Sequence, residues 1–184
     1  MKNLKRHRPL GLALALALVL TCGWIVPSAA AVKESADERI AIESVVVAAR
    51  APEDVYRLLV KPERWWDGAH TYSGAASNLR MDARAGGCFC EKKGRGSIEH
   101  GRVIYADPGK LLRLDAALGP LQDMAVTGIL TFKLEPDGGG TRITMTYRVA
   151  GALTIKGSQL APAIDKVMTG QLNRLAAVAA AAKR

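Results

Sequence analysis

Thr141-Arg142-Ile143-Thr144-Met145-Thr146-Tyr147-Arg148-Val149 is the stretch on which the architecture turns. Ile143, Met145, Tyr147 and Val149 alternate with Arg142, Thr144, Thr146 and Arg148, so an extended chain sends one set inward and the other to solvent. That is a strand of an antiparallel sheet with one face on a core and one in water. Asp137-Gly138-Gly139-Gly140 turns the chain into it, and residues 125–135 form the strand before the turn.

Working outward, Gly119-Pro120, Asp107-Pro108-Gly109, Gly94-Gly96 and Gly86-Gly87 punctuate further strand-like runs at about 110–117, 97–106, 88–93 and 78–83. Before them, Ile40 to Val47 alternates and is rich in β-branched residues. Ala51-Pro52-Glu53-Asp54 then places a proline and two acids at a helix start, with Val55, Leu58 and Leu59 at helical spacing. Lys61-Pro62-Glu63-Arg64-Trp65-Trp66 repeats the signal, predicting a second helical turn that presents the tryptophan pair. Beyond the alternating strand, a long helix from about Leu160, with Pro162 in its first turn, carries an apolar stripe of Leu160, Ile164, Val167, Met168, Gln171, Leu175 and Val178. Gly170 interrupts it at a cost of about 1 kcal/mol, which predicts a neighbour approaching the backbone closely there. The order is strand, two short helices, six antiparallel strands and one long helix, an α+β layout in which a curved seven-stranded sheet wraps the C-terminal helix.

The N-terminus has a different logic. Lys2, Lys5, Arg6 and Arg8 precede Leu10 to Val26, a run without charge, followed by Pro27 and Ser28-Ala29-Ala30-Ala31. This reads as a signal peptide over residues 1–31, cleaved after Ala30 or Ala31, with the domain spanning 32–184 and a periplasmic or secreted destination. The alternatives are an uncleaved anchor, although 17 residues reach only ~26 Å, or a lipid on Cys22, which Thr21 suits poorly. The leader holds four of the 26 Lys/Arg and none of the 17 Asp/Glu, leaving the domain at +5, that is 22 less 17. Its basic residues are dispersed, and the longest local group, Lys92, Lys93 and Arg95, is too short for a nucleic-acid footprint. A membrane role arises only through the leader, if it stays attached.

Ala51-Pro52-Glu53-Asp54-Val55-Tyr56, Trp65-Trp66, Arg84-Ala85-Gly86-Gly87, Gly101-Arg102-Val103 with Asp107-Pro108-Gly109-Lys110-Leu111-Leu112, and Gly138-Gly139-Gly140-Thr141-Arg142-Ile143-Thr144, in this element order, resemble the START-related SRPBCC helix-grip superfamily. The similar branches are the polyketide-cyclase-like and heat-shock-protein ATPase activator-like families, over residues 38 to about 180. The resemblance implies a helix-grip fold with an apolar cavity under the C-terminal helix. These motifs are structural, and the fold hosts carriers, receptors, cyclases and co-chaperones. An exported domain would not meet a cytosolic ATPase.

Candidate ligand-binding residues follow. Trp65, Trp66, His70 and Tyr72 concentrate the aromatics of a chain that is only 5% aromatic, either over a cavity mouth or as a satellite core. Phe89 and Glu91 alternate with Cys88 and Cys90, so one pair faces inward. Glu91, if inward, is a carboxyl whose pKa burial would raise. The two cysteines read as reduced, buried small hydrophobes, with an adventitious or redox-active bridge as the alternative in an oxidising compartment. An i,i+2 bridge would span Cα atoms about 6–7 Å apart in an extended strand. With His70 and His100 they match the ligand count of a zinc site but not its spacing, and neither metal nor cofactor is expected. His100 and Arg102 share a strand face with Ile98 and Ile104. Tyr147 and Met145 point inward from the last strand, and Ile164 and Met168 from the helix. No phosphate loop, nucleophile elbow or HExxH motif is present. The reading is an exported domain holding an apolar or amphipathic small molecule, lipid-, sterol- or polyketide-like, rather than an enzyme. The alternative is a cyclase, dehydratase or isomerase using Tyr147 with His100, Arg102 or Glu91.

Overall fold

The computed structural model describes residues 29–181. An eight-stranded antiparallel sheet is ordered β1-β2-β8-β7-β6-β5-β4-β3. The strands are β1 (Ala29–Ala36), β2 (Arg39–Ala48), β3 (Leu79–Met81), β4 (Cys88–Lys93), β5 (Gly96–Asp107), β6 (Leu111–Asp115), β7 (Ala125–Asp137) and β8 (Gly140–Ala152). Helix α1 (Pro52–Leu59) and the 3₁₀ turns Pro62–Arg64, Gly68–His70 and Ala76–Asn78 lie between β2 and β3. Helix α2 (Gly157–Ala181) closes the chain.

The expected α+β arrangement of a curved antiparallel sheet and a long C-terminal helix is the one observed. On β8, Ile143, Met145, Tyr147 and Val149 are buried while Arg142 and Arg148 are exposed, and on β2 the buried set is Ile40, Ile42, Ser44, Val46 and Ala48. The strand count differs by one. Residues 29–36 add an edge strand to β2, with Ala29 opposite Val45 and Ala36 opposite Arg39. Its small residues carry little apolar periodicity, so only the backbone ladder marks it as a strand. The expected cleavage points fall within β1, and residues 1–28, including Cys22 and the apolar run of the leader, lie outside the described residues. Among the described residues no helix is long and apolar enough to cross a membrane.

Helix α2 starts at Gly157, so Pro162 lies inside it rather than in its first turn. Gly157 packs so closely that an added Cβ would run into the Ala36 carbonyl and come within 2.7 Å of Arg39 O. Gly170, in contrast, has nothing within 4 Å of where a Cβ would stand, so the expected close approach does not occur. The C-terminal half of α2 buries Gln171, Leu172, Leu175 and Ala179. Toward its N-terminal end, Leu160, Ile164 and Val167 remain half-buried. A straight helix and a curved sheet cannot stay in contact along their whole length, and the gap opens beneath this half.

Candidate functional site: the cavity under the C-terminal helix

A cavity of about 550 Å³ occupies that gap. One wall is α2, through Leu160, Ala163, Ile164, Val167 and Met168. The opposite wall is the segment after β6, through Leu118 and the 3₁₀ turn Gly119–Asp123, and the third is the aromatic loop from Trp66 to Tyr72. Tyr147 and His100 form part of the floor.

Side chains from α2 hold the aromatic loop in place. Asp67 N donates to Gln171 Oε1 at 2.8 Å, and Arg174 Nε donates to Trp65 O at 3.0 Å. Trp66 Nε1 donates to His70 O at 3.1 Å, which fixes the ring over the cavity edge. The Tyr72 hydroxyl donates to Gly119 O at 2.9 Å, and Gln122 Nε2 donates to Glu99 O at 2.7 Å, so the two loop walls are tied to each other and to β5. Burial raises the Tyr72 phenol, and the carboxylates of Asp123 and Glu91 add to the effect.

The floor depends on two glycines. Gly101 and Gly128 flank Ala116: a Cβ on Gly101 would stand 2.5 Å from Ala116 Cβ, and one on Gly128 would run into Ala116 O. Their absence lets the chain leave β6 between its neighbours. The Tyr147 hydroxyl then donates to Ala116 O at 2.9 Å and accepts from Leu118 N at 3.0 Å. Burial pushes this phenol far above the ordinary tyrosine range, against the pull of the Leu118 N–H. The hydroxyl is thus occupied in holding the wall that begins at Leu118.

Behind the floor lies a buried hydrogen-bonded pair. Glu91 and His100 are 1% and 6% exposed, and His100 Nε2 stands 2.8 Å from Glu91 Oε2. Tyr72 N also donates to Oε2, at 3.0 Å, and Ser73 N donates to Oε1. Burial alone would raise the Glu91 carboxyl, but the hydrogen bonds from Ser73, Tyr72 and His100 together outweigh it and hold the carboxyl below its ordinary range. The expectation of a raised carboxyl is therefore corrected: the site is buried but rich in donors, and donors favour the charged form. The His100 ring stacks on Tyr72, with centroids 5.8 Å apart, and tilts against Phe89 at 5.1 Å.

Of the residues expected at a ligand site, Trp66, His70, Tyr72, His100, Tyr147, Ile164 and Met168 do line the cavity. Trp65, Phe89 and Met145 are instead core. Trp65 is 2% exposed, donates to Leu59 O at 3.2 Å and meets Phe132 edge-on, Phe89 packs edge-on against Trp66, and Met145 is fully buried. Glu91 sits one side chain behind the floor. Arg102 is on the outer face, donating to Glu99 Oε2 at 2.6 Å. Strict alternation put it beside His100, but β5 carries a bulge there: Phe89 faces Gly101 while Cys90 faces Glu99, leaving His100 as the extra residue. One inserted residue reverses the facing of everything after it.

The cysteines are also corrected. Cys88 and Cys90 are half-exposed on the outer face and joined as a disulfide, with Cα atoms 5.4 Å apart, closer than the expected 6–7 Å, beside the bulge in the facing strand. They point away from His100, and among the described residues no group of three or more His, Cys, Asp or Glu could hold a metal. Residues 118–121 and Asp123 were missed as a wall, because Gly119-Pro120 signals a turn without saying what that turn covers.

An apolar cavity gripped between a curved sheet and its C-terminal helix defines a helix-grip domain of the hydrophobic ligand-binding or cyclase type. The chain belongs to the polyketide cyclase/dehydrase and lipid transport family, whose model matches residues 39–180, and so to the SRPBCC superfamily through its polyketide-cyclase-like branch. No curated protein matches its sequence. Solved structures share the fold: a protein from Rhizobium leguminosarum is 18% identical with a TM-score of 0.56, covering 84% of this chain and 98% of its own. CalU16 from Micromonospora echinospora is 15% identical with a TM-score of 0.53, over 83% and 85%. The di-domain ARO/CYC StfQ from the steffimycin biosynthetic pathway is 16% identical with a TM-score of 0.53, over 78% of this chain and 51% of that one.

Proposed function

We propose that this domain is exported and holds an apolar or amphipathic small molecule, lipid-, sterol- or polyketide-like, in the cavity beneath α2 without transforming it. The observation that carries the reading is the cavity: about 550 Å³, walled by Leu118, Leu121, Leu160, Ile164, Val167 and Met168, with a few polar groups at its edge. That volume and lining are those of a small-molecule site. Of the set on which a cyclase reading would rest, Tyr147 with His100, Arg102 or Glu91, Tyr147 and His100 both reach the cavity floor. Arg102, however, faces outward, Glu91 sits behind the floor and the Tyr147 hydroxyl is engaged on both sides by backbone, which favours binding over turnover. Export is supported by the charged and apolar pattern of residues 1–31 and by a half-exposed disulfide, a bond that persists in oxidising compartments.

Native mass spectrometry of protein purified from its own cell envelope tests both parts. The expected result is a chain beginning at Ala31 or Val32 that carries a non-covalent adduct, and whose melting point rises with apolar ligands. A chain recovered only in the cytoplasm refutes export. A consistently empty domain, indifferent to a panel of lipids and polycyclic aromatics, refutes binding.

A further inference from the structure

Glu91 does more than fill a buried position, because its bonds dictate what His100 offers to the cavity. Both carboxylate oxygens accept backbone N–H groups, which can only donate, and the carboxyl is held in its charged form. A carboxylate can only accept, so His100 Nε2, at 2.8 Å, must carry the proton. In the neutral imidazole the lone pair then belongs to Nδ1. Among the described residues no partner bonds Nδ1, yet it is not an atom sealed from solvent: the one buried side-chain polar atom without a partner is the Tyr56 hydroxyl. His100 borders the cavity, its ring packed against those of Tyr72 and Phe89 while Glu91 holds Nε2. The carboxylate at the cavity wall is Asp123, on the 3₁₀ turn, which is also an acceptor. His70, on the aromatic loop, is exposed.

We propose that His100, oriented by Glu91, reads an acidic hydroxyl on the ligand: Nδ1 accepts a hydrogen bond from a phenolic or enolic O–H on a flat, otherwise apolar molecule. The inference rests on the binding reading above and specifies what is bound. A ring nitrogen backed by a carboxylate is a stronger acceptor than an isolated imidazole, and the gain is largest for an acidic donor. The neighbouring Trp66 and Tyr72 rings suit a planar aromatic body. If the proton crosses, it leaves the ligand oxygen for Nδ1, giving a phenolate beside an imidazolium whose charge Glu91 balances. A ligand carbonyl finds no donor at the neutral ring, so polarisation of a ketone is not the role of this histidine.

The test is a matched pair of probes, 2-naphthol and 2-methoxynaphthalene, titrated calorimetrically into the wild-type protein and into His100→Phe, which keeps a ring in the stack. Wild type is expected to bind the naphthol about tenfold more tightly although the ether is more apolar, the size of one hydrogen bond to a polarised acceptor, and the preference should vanish in the variant. Independently of whether the variant folds, ¹⁵N spectra of wild-type His100 should show the Nε2–H tautomer, and the naphthol alone should shift the Nδ1 resonance. Equal affinities for the two probes, or an Nδ1–H tautomer, overturn the inference and leave apolar binding standing. Failure of both probes to bind overturns the inference, whereas the binding reading falls only if the wider panel of lipids and polycyclic aromatics also fails.

Discussion

Tyr147→Phe removes one oxygen from the middle of β8, and its effect can be worked from the contacts of that atom. The ring stays packed, but Ala116 O loses a donor at 2.9 Å and Leu118 N an acceptor at 3.0 Å. Ala116 is 2% exposed, so its carbonyl cannot turn to water, while half-buried Leu118 partly can. A buried group left unpaired costs about 1–3 kcal/mol, so the pair together should cost about 2–4 kcal/mol. For a domain of this size that lowers Tm by roughly 5–15 °C. Equilibrium urea unfolding followed by tryptophan fluorescence measures it, since Trp65 and Trp66 are both buried. The pH dependence supplies a second, independent reading. Burial raises the folded phenol above its ordinary value of 10.0, so above that pH the unfolded chain releases a proton that the native protein keeps. Stability is therefore full below pH 10 and falls as pH rises, by about 1.4 kcal/mol per unit for one proton. Tyr56 and Tyr72 are raised as well and add to the wild-type loss, so the variant should have an alkaline limb shallower by one proton rather than flat. A variant within about 0.5 kcal/mol of wild type, with an unchanged alkaline limb, would refute the role given to this hydroxyl as the anchor of the cavity wall.

Three further outcomes are expected. Glu91→Gln should destabilise by about 1–3 kcal/mol at pH 7, because an amide oxygen cannot serve all the donors around Glu91. Since the folded carboxyl lies below its ordinary 4.5, that stabilisation is present above pH 4.5 and lost as pH falls through the folded value, so wild type and variant should converge in acid denaturation curves. Gly170→Ala should raise stability by about 1 kcal/mol, read as a Tm gain of roughly 2–4 °C, because the added methyl meets no atom within 4 Å and the helix gains propensity. Ile164→Trp, from the half-buried wall of α2, should fill the cavity and weaken 2-naphthol roughly tenfold or more in calorimetry, with Tm changed by only about 4 °C or less.

The fold was legible because its signals are local and repeated. Alternation in residues 40–47 and 141–149, glycine-rich turns and Pro-initiated helices each follow from backbone geometry that a few neighbouring residues dictate. The candidate site was legible in part. The aromatic loop and the helix stripe were visible as clusters, and seven of the twelve residues expected to bind a ligand line the cavity. Arg102 was misplaced by one bulge, and no pattern in Cys88-Phe89-Cys90-Glu91 reveals which alternate pair turns inward, because both sets are chemically plausible on either face.

The sequence by itself determined the order of the elements from β2 onward, the inward face of β8 and the family to which the chain belongs. Periodicity and turn chemistry act over a few residues, so they survive being read one residue after another. Only the tertiary structure decided that Glu91 is charged rather than neutral, that the Tyr147 hydroxyl is bonded to the cavity wall, and that Cys88 and Cys90 face outward as a disulfide. Each of these depends on partners brought from elsewhere in the chain, the Tyr72–Ser73 backbone 18 and 19 residues from Glu91 and the Ala116–Leu118 backbone 29 and 31 residues from Tyr147, or on a single-residue bulge between strands. Burial and hydrogen bonding oppose each other in setting a charge, and which of them prevails depends on the count of donors present at the folded site.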